Sequence, residues 1–161
     1  MATNNAINQI GVLPSFMATN NAVQSNVTGD GTLYTVVFNT ELYDTTNSFD
    51  GTSTFTAPLS GTYHFNAGLW LGGTIDAAHT RAIISFITST GYEYRWDYNL
   101  YNESAPANGV NTTYATEFRL TAADTVVLKV QVIGGNKTIS VLQSSPAPYC
   151  PYLSGYMISG I

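Results

Sequence analysis

From Pro14 onward, apolar and polar positions alternate with a period of two. In "TYHFNAGLW", Tyr63, Phe65, Ala67 and Leu69 fall on one face, with His64, Asn66, Gly68 and Trp70 on the other. In "DTVVLKVQVIGG", Val126, Leu128, Val130 and Val132 oppose Val127, Lys129, Gln131 and Ile133. That period marks half-buried strands of antiparallel sheets. "TLYTVVF", "TRAIISFITST", "YEYRWDYNLYN", "TTYATEFRL", "KTISVLQ" and "YLSGYMIS" share the texture. Clusters such as "TGDG", "GGTIDAAH", "NESAPANG" and "SSPAPYCP" punctuate them as turns. No helical period lasts beyond two turns. Eight to ten short strands in roughly 145 residues predict an all-β sandwich or jelly roll.

One run breaks the pattern. "AIISFI", Ala82 to Ile87, is apolar on both faces. A sheet in a sandwich has one inner face, so the outer face of this strand is expected to meet another chain. The opening "MATNNAINQIGVL" is polar with sparse Ile and Val, and "MATNNA" recurs at Met17 to Ala22. Residues 1–13 read as a tether or stalk junction, and residues 14–161 as the folded domain.

Composition narrows the function. Charged residues make up only 9% of the chain, against about 25% in ordinary soluble domains. Arg81, Arg95, Arg119, Lys129 and Lys137 are scattered within a net charge of -5, so no basic stripe exists for nucleic acid. Cys150 is the only cysteine, which excludes an intrachain disulfide and a cysteine-based zinc site; it reads as a half-buried apolar residue. No signal-peptide pattern opens the chain, and no run approaches the roughly 18 apolar residues of a membrane span. Export or lysis by other means is then expected for a protein working outside a cell.

Beyond these patterns, the chain resembles the C1q family. Its signature runs F-x5-[ND]-x4-[aromatic or Leu]-x6-F-x5-G-x-Y-x-F-x-[FY]. Phe38 starts it, Asp44 and Phe49 follow in register, Phe55 comes one residue early, and Gly61, Tyr63 and Phe65 are correctly spaced, with Ala67 in the last aromatic place. "YLSGYMI", with Gly155 and Tyr156, is similar to the family's closing strand. The early Phe55 implies a bulge or a shortened loop, and Gly61 is expected to need an unusual backbone angle. The resemblance implies a ten-stranded C1q/TNF-like jelly roll. It also implies a tight homotrimer at the end of a fibrous stalk, binding ligands through exposed loops. No Gly-X-Y repeat is present. The Thr/Asn-rich, charge-poor style is closest to C1q-like tips of bacteriophage fibres and bacterial surface proteins.

Candidate chemistry is thin. Asp76, His79 and Thr80 lie close in "TIDAAHTRA", without a nucleophile elbow, and read as a turn. Glu93, Asp97, Glu103 and Glu117 could supply a glycosidase pair only by chance proximity. "TGDG" is too short for an EF-hand loop. The sequons at Asn26, Asn102, Asn111 and Asn136 read as unmodified. The richest stretch is "GYEYRWDYNLYNES". Its Tyr92, Tyr94, Trp96 and Tyr98 share one strand face, as a core or trimer surface or as a binding platform.

The expectation is therefore a non-enzymatic, homotrimeric tip or decoration of a phage fibre or virion. It is joined to a fibre or capsid component through its N-terminal segment and binds host-surface carbohydrate or another surface structure, or only caps and stabilises the fibre. It stands at the virion surface or outside the cell, with no cofactor, metal, nucleic acid or membrane insertion. The candidate binding residues are Asp76, His79, Tyr92, Tyr94, Trp96, Tyr101, Asn102 and Glu103. Core or trimer positions are Phe38, Phe49, Phe55, Gly61, Tyr63, Phe65, Ile84, Phe86, Gly155 and Tyr156. The runner-up is a bacterial adhesion module of the same fold, and the third reading is a carbohydrate-active enzyme.

Overall fold

The computed structural model describes residues 11–104, 109–143 and 151–160. Cys150 and residues 1–10 of the expected tether lie outside them; Val12 and Leu13 are exposed. Twelve strands and one short helix are present among the described residues: β1 (Ser15–Thr19), β2 (Gln24–Thr28), β3 (Leu33–Thr35), β4 (Thr40–Asp44), β5 (Thr54–Thr56), β6 (Gly61–Gly73), β7 (Arg81–Thr88), β8 (Glu93–Tyr98), α1 (Leu100–Ser104), β9 (Gly109–Leu120), β10 (Thr125–Ile133), β11 (Ile139–Val141) and β12 (Tyr152–Gly160). All pairings are antiparallel.

Two sheets form the sandwich. The seven-stranded sheet centres on β6, which pairs β9 along one edge and β12 then β11 along the other; β1 and β4 extend it past β12, and β2 past β11. The five-stranded sheet runs β3-β10-β7-β8, with β5 also on β10. The period-two pattern sets the faces. Tyr63, Phe65, Ala67, Leu69 and Leu71 point inward from β6, and Val126, Leu128, Val130 and Val132 from β10. Ile84 and Phe86 meet them from β7.

Phe16 stacks on Phe49 and on Phe55, each at 5.1 Å, and Phe55 meets Tyr63 and Phe65 edge-on at 5.4 and 5.2 Å. Each such contact adds about 0.5–1.5 kcal/mol beyond burial. The early Phe55 is accommodated by a tight loop in which Phe49 and Phe55 are bridged as strand partners. Asp44 closes that loop by accepting from the backbone N–H of Thr46, Ser48 and Phe49 at 3.0, 2.6 and 2.7 Å.

Three expectations need correction. Gly61 is not held at a positive φ; a Cβ there would sit 2.3 Å from Met157 Cε and from Ser159 O, so close packing is what requires glycine. The strand expected through Asn102 ends at Tyr98. Asn99 then caps α1, accepting from the Asn102 N–H at 3.0 Å, and Leu100 plugs into the core. Finally, the outer face of β7 is covered within the chain. Ile83 is 5% exposed between its cross-strand neighbours Gln131 and Asp97, and Ser85 donates to Glu93 at 2.5 Å. Burial on both faces of β7 therefore does not require another chain.

Candidate functional site

The register separates two ends of the sandwich. Ser15 pairs with Tyr156, Tyr156 with His64, and Gly160 with Gly61, so the chain enters β1 and leaves β12 at the Gly61 end of β6. The 13 residues of β6 carry the sheet about 40 Å to Gly73. At that far end cluster the turn after β2, the β6–β7 loop, α1 and the β10–β11 turn.

His79 ties them together. Its side chain is fully buried. Nε2 lies 3.0 Å from the Asn136 carbonyl, which can only accept, so Nε2 carries the proton. Nδ1 accepts from the Asp76 N–H at 3.2 Å and lies 3.0 Å from Asp76 Oδ1. The ring rests on Gly135, where a Cβ would come within 2.3 Å of Nε2. Tyr101 N–H donates to the His79 carbonyl at 3.1 Å, docking α1 on the same clamp. Thr28 is the second buried polar group here: its hydroxyl donates to Thr32 O at 2.6 Å and accepts from Val132 N–H at 2.8 Å.

Along one side runs an open seam. β8 is an edge of the five-stranded sheet and β9 an edge of the other. From the Gly61 end to the Gly73 end, β8 and the turn before it present Tyr92, Tyr94, Trp96 and Tyr98. Tyr92 is 71% exposed and Tyr94 49%, while Trp96 and Tyr98 are half-buried. Trp96 touches Tyr94, Tyr114 and Phe86 at ring distances of 4.8, 4.7 and 5.9 Å. Three cavities follow the seam. One of about 420 Å³ lies between Tyr92 and 117–121 of β9, and one of about 390 Å³ between Tyr94, His64 and Glu117. The third, of about 370 Å³, lies at the loop end between Trp96, Tyr98, Glu103 and Tyr114.

The expected binding residues thus divide. Asp76, Tyr101, Asn102 and Glu103 are exposed together at the loop end. Trp96 walls the adjoining cavity, Tyr94 lies along the seam, and Tyr92 lies at the opposite end. His79 shapes the loop cluster from within, and its buried ring presents nothing to a ligand. Thr112, Tyr114 and Asn136 join the site although no sequence motif singled them out, and Tyr98 joins it from the aromatic strand face. The phase of Tyr98 with Trp96 and of Tyr114 with Phe118 was visible in the alternation.

Asp76, His79 and Thr80 are not arranged as a catalytic set. Both His79 nitrogens are engaged, leaving none as a base for Thr80. Asp97 accepts from Arg81 Nε at 2.9 Å, Arg81 Nη2 at 2.6 Å and Arg95 Nη2 at 3.0 Å. These bonds, from Arg81 first, hold its carboxyl down at about 2. Burial pushes the Tyr98 and Tyr114 phenols up. No group of three or more His, Cys, Asp or Glu among the described residues is arranged to hold a metal ion.

No family model matches the sequence, and no curated protein does. Solved structures do match. The globular domain of zebrafish complement 1qA protein aligns over 92% of this chain and 99% of its own, with a TM-score of 0.59 at 16% identity. Murine APRIL aligns over 91% and 99%, with a TM-score of 0.60 at 10% identity. Eiger TNF from S. frugiperda aligns over 92% of each chain, with a TM-score of 0.52 at 11% identity. The paired sheets and these full-length alignments together give the chain a C1q/TNF-like fold.

Proposed function

We propose that this protein is a non-enzymatic, homotrimeric tip module of a bacteriophage fibre. In this reading residues 1–13 tether it to a fibre or capsid component, and its loop end binds carbohydrate on the host surface. Domains of this fold are typically extracellular, non-catalytic binding modules that homotrimerise. The observation that carries the reading is polarity. The chain enters β1 and leaves β12 at one end, while the His79-organised loops and four of the eight candidate binding residues occupy the other. A tethered module displays the end away from its tether, and recognition residues concentrate on loops held by a rigid scaffold. Tyr92 and Tyr94 on the seam, with exposed Tyr156 and Ile158 on the outer face of the larger sheet, supply apolar contact area for copies to pack in the trimer.

Two measurements test this. Light scattering on the purified chain returns three copies per particle; a stable monomer at micromolar concentration overturns the trimeric reading. Titration against bacterial cells or their purified surface polysaccharide then locates the binding end. Combined Asp76→Ala and Asn102→Ala weakens binding, whereas Leu59→Ala, at the exposed turn near the tether, leaves it unchanged. With charged residues at only 9% of the chain, recognition runs on hydrogen bonds and stacking, so affinity changes little with salt. A loss of about tenfold between low and high salt contradicts this mechanism. Release of reducing sugar from the same polysaccharide makes the protein an enzyme instead.

A further inference from the structure

Tyr98, which walls the cavity at the loop end of the seam, carries a hydroxyl just beneath the surface that the fold leaves without a partner. Tyr98 Oη is buried and makes no hydrogen bond. The nearby Tyr114 hydroxyl accepts from Thr112 Oγ1 at 2.5 Å, and both hydroxyls lie close enough to act on the Tyr98 phenol. A buried polar group without a partner is a standing cost to the folded chain, and such groups are rare without a reason. Burial holds both phenols protonated beyond neutral pH, so Tyr98 has a proton to donate. Around it the cavity combines aromatic walls from Trp96, Tyr98 and Tyr114 with polar groups from Asp97, Glu103, Thr112 and Thr113; Asp97 is already held by Arg81 and Arg95. At about 370 Å³ it lies near the small end of small-molecule sites, which run from roughly 300 to 1,000 Å³. No residue lining it is basic.

Aromatic walls suit a flat, weakly polar ring face. A lone donor and a few acceptors at the rim suit hydroxyl groups around that ring. The Glu103 carboxylate, for which no basic lining residue supplies a counter-charge, repels an acidic ligand. We propose that this cavity binds one uncharged sugar ring of a glycan. The ring face packs against Trp96 and Tyr114, one ring hydroxyl accepts from Tyr98 Oη, and Glu103 discriminates against acidic sugars; the assignment rests on the glycan-binding reading above.

The test uses the full chain. The probes are neutral oligosaccharides ending in hexose or N-acetylhexosamine, with the same oligosaccharides ending in uronic or sialic acid as counterparts. The chain has two tryptophans, so Trp70→Phe leaves Trp96 as the only indole reporter. Neutral probes bind and change its emission; acidic probes do not, and Glu103→Gln admits them. Tyr98→Phe removes only the hydroxyl. It weakens neutral-sugar binding about tenfold, while the melting temperature of the free protein stays level or rises because the unpartnered group is gone. That opposition separates a ligand role from a structural one. Unchanged affinity in Tyr98→Phe, or equal binding of acidic probes by the wild-type chain, overturns the assignment. If Asp76→Ala and Asn102→Ala lose binding while Tyr98→Phe and Trp96→Ala keep it, the cavity is wrong and the glycan reading stands. If the trimeric wild-type protein binds no glycan probe, both fall.

Discussion

At the Gly61 end the two sheets meet over stacked rings, with Phe16, Phe49, Phe55, Tyr63 and Phe65 in mutual contact. At the Gly73 end they meet over an imidazole and a threonine hydroxyl, each satisfied by backbone groups of neighbouring turns. Ring stacking is short-ranged but weakly directional, so it clamps the sheets and tolerates small shifts. A buried hydrogen bond fails when its partner moves by an ångström, so it fixes loops in one arrangement. An anchoring end needs cohesion, and a displaying end needs loops held in position. The difference matches the division of labour proposed for them.

The largest expected effect is at the aromatic end. Phe65 is fully buried and touches the rings of Phe16, Phe55, Phe86 and Phe118. Phe65→Ala is expected to cost about 3–5 kcal/mol in chemical denaturation. Tyr63→Ala belongs in the same range, since its ring is as deeply buried and its hydroxyl donates to Leu59 O at 2.7 Å. A cost under about 1 kcal/mol for both would mean that the rings are not what holds this end.

That end was also the legible one. Inward rings recur every second residue along a strand, and the C1q-like spacing placed Phe38, Phe49, Phe55 and Gly61 before any coordinates. The loop end was not legible. The acceptor for His79 is the carbonyl of Asn136, 57 residues away, and every residue type carries that group. The cradle is Gly135, which in sequence is only one more turn glycine. The sugar cavity was half legible: Trp96 stood out, while Tyr98 and Tyr114 meet only because two edge strands from different sheets close on one another. Gly61 was found for an incorrect reason, because close approach from β12 is invisible in a linear pattern.

A second prediction sharpens the comparison. His79→Ala leaves the Asp76 N–H without its acceptor, takes one donor from the Asn136 carbonyl, which keeps the Thr138 N–H, and is expected to cost about 2–3 kcal/mol. Unlike Phe65→Ala, it should speed hydrogen exchange chiefly in residues 74–80 and 134–138. Gly135→Ala drives a methyl into the imidazole and is expected to cost about 1–3 kcal/mol alone. In the His79→Ala background that penalty should fall by at least half, because the ring it collides with is gone. Additive costs in this double-mutant cycle would show that Gly135 matters for its backbone and not for the ring. Phe65→Ala and His79→Ala, at opposite ends, should add.

The smallest effect belongs to neither end. On the outer face of β7 and β8, Arg81 and Arg95 converge on Asp97. All three side chains are more than a third exposed, so water and salt screen them and the network contributes no more than about 1 kcal/mol. Its sign is fixed by the depressed carboxyl. Asp97 titrates at about 2 in the folded chain against an ordinary 3.8. Its contribution is therefore complete above about pH 4 and disappears as pH falls from there through about 2. Asp97→Asn should cost about 0.5–1 kcal/mol at neutral pH and flatten the loss of stability between those values. Urea midpoints at pH 6, 4 and 2.5, each at low and high salt, measure both effects. Because the network covers Ile83 without closing either end, the variant should leave the exchange of both loop segments unchanged. An acid limb as steep in Asp97→Asn as in the wild type would assign the acid sensitivity to other carboxylates, with Asp50 and its backbone N–H bonds first among them.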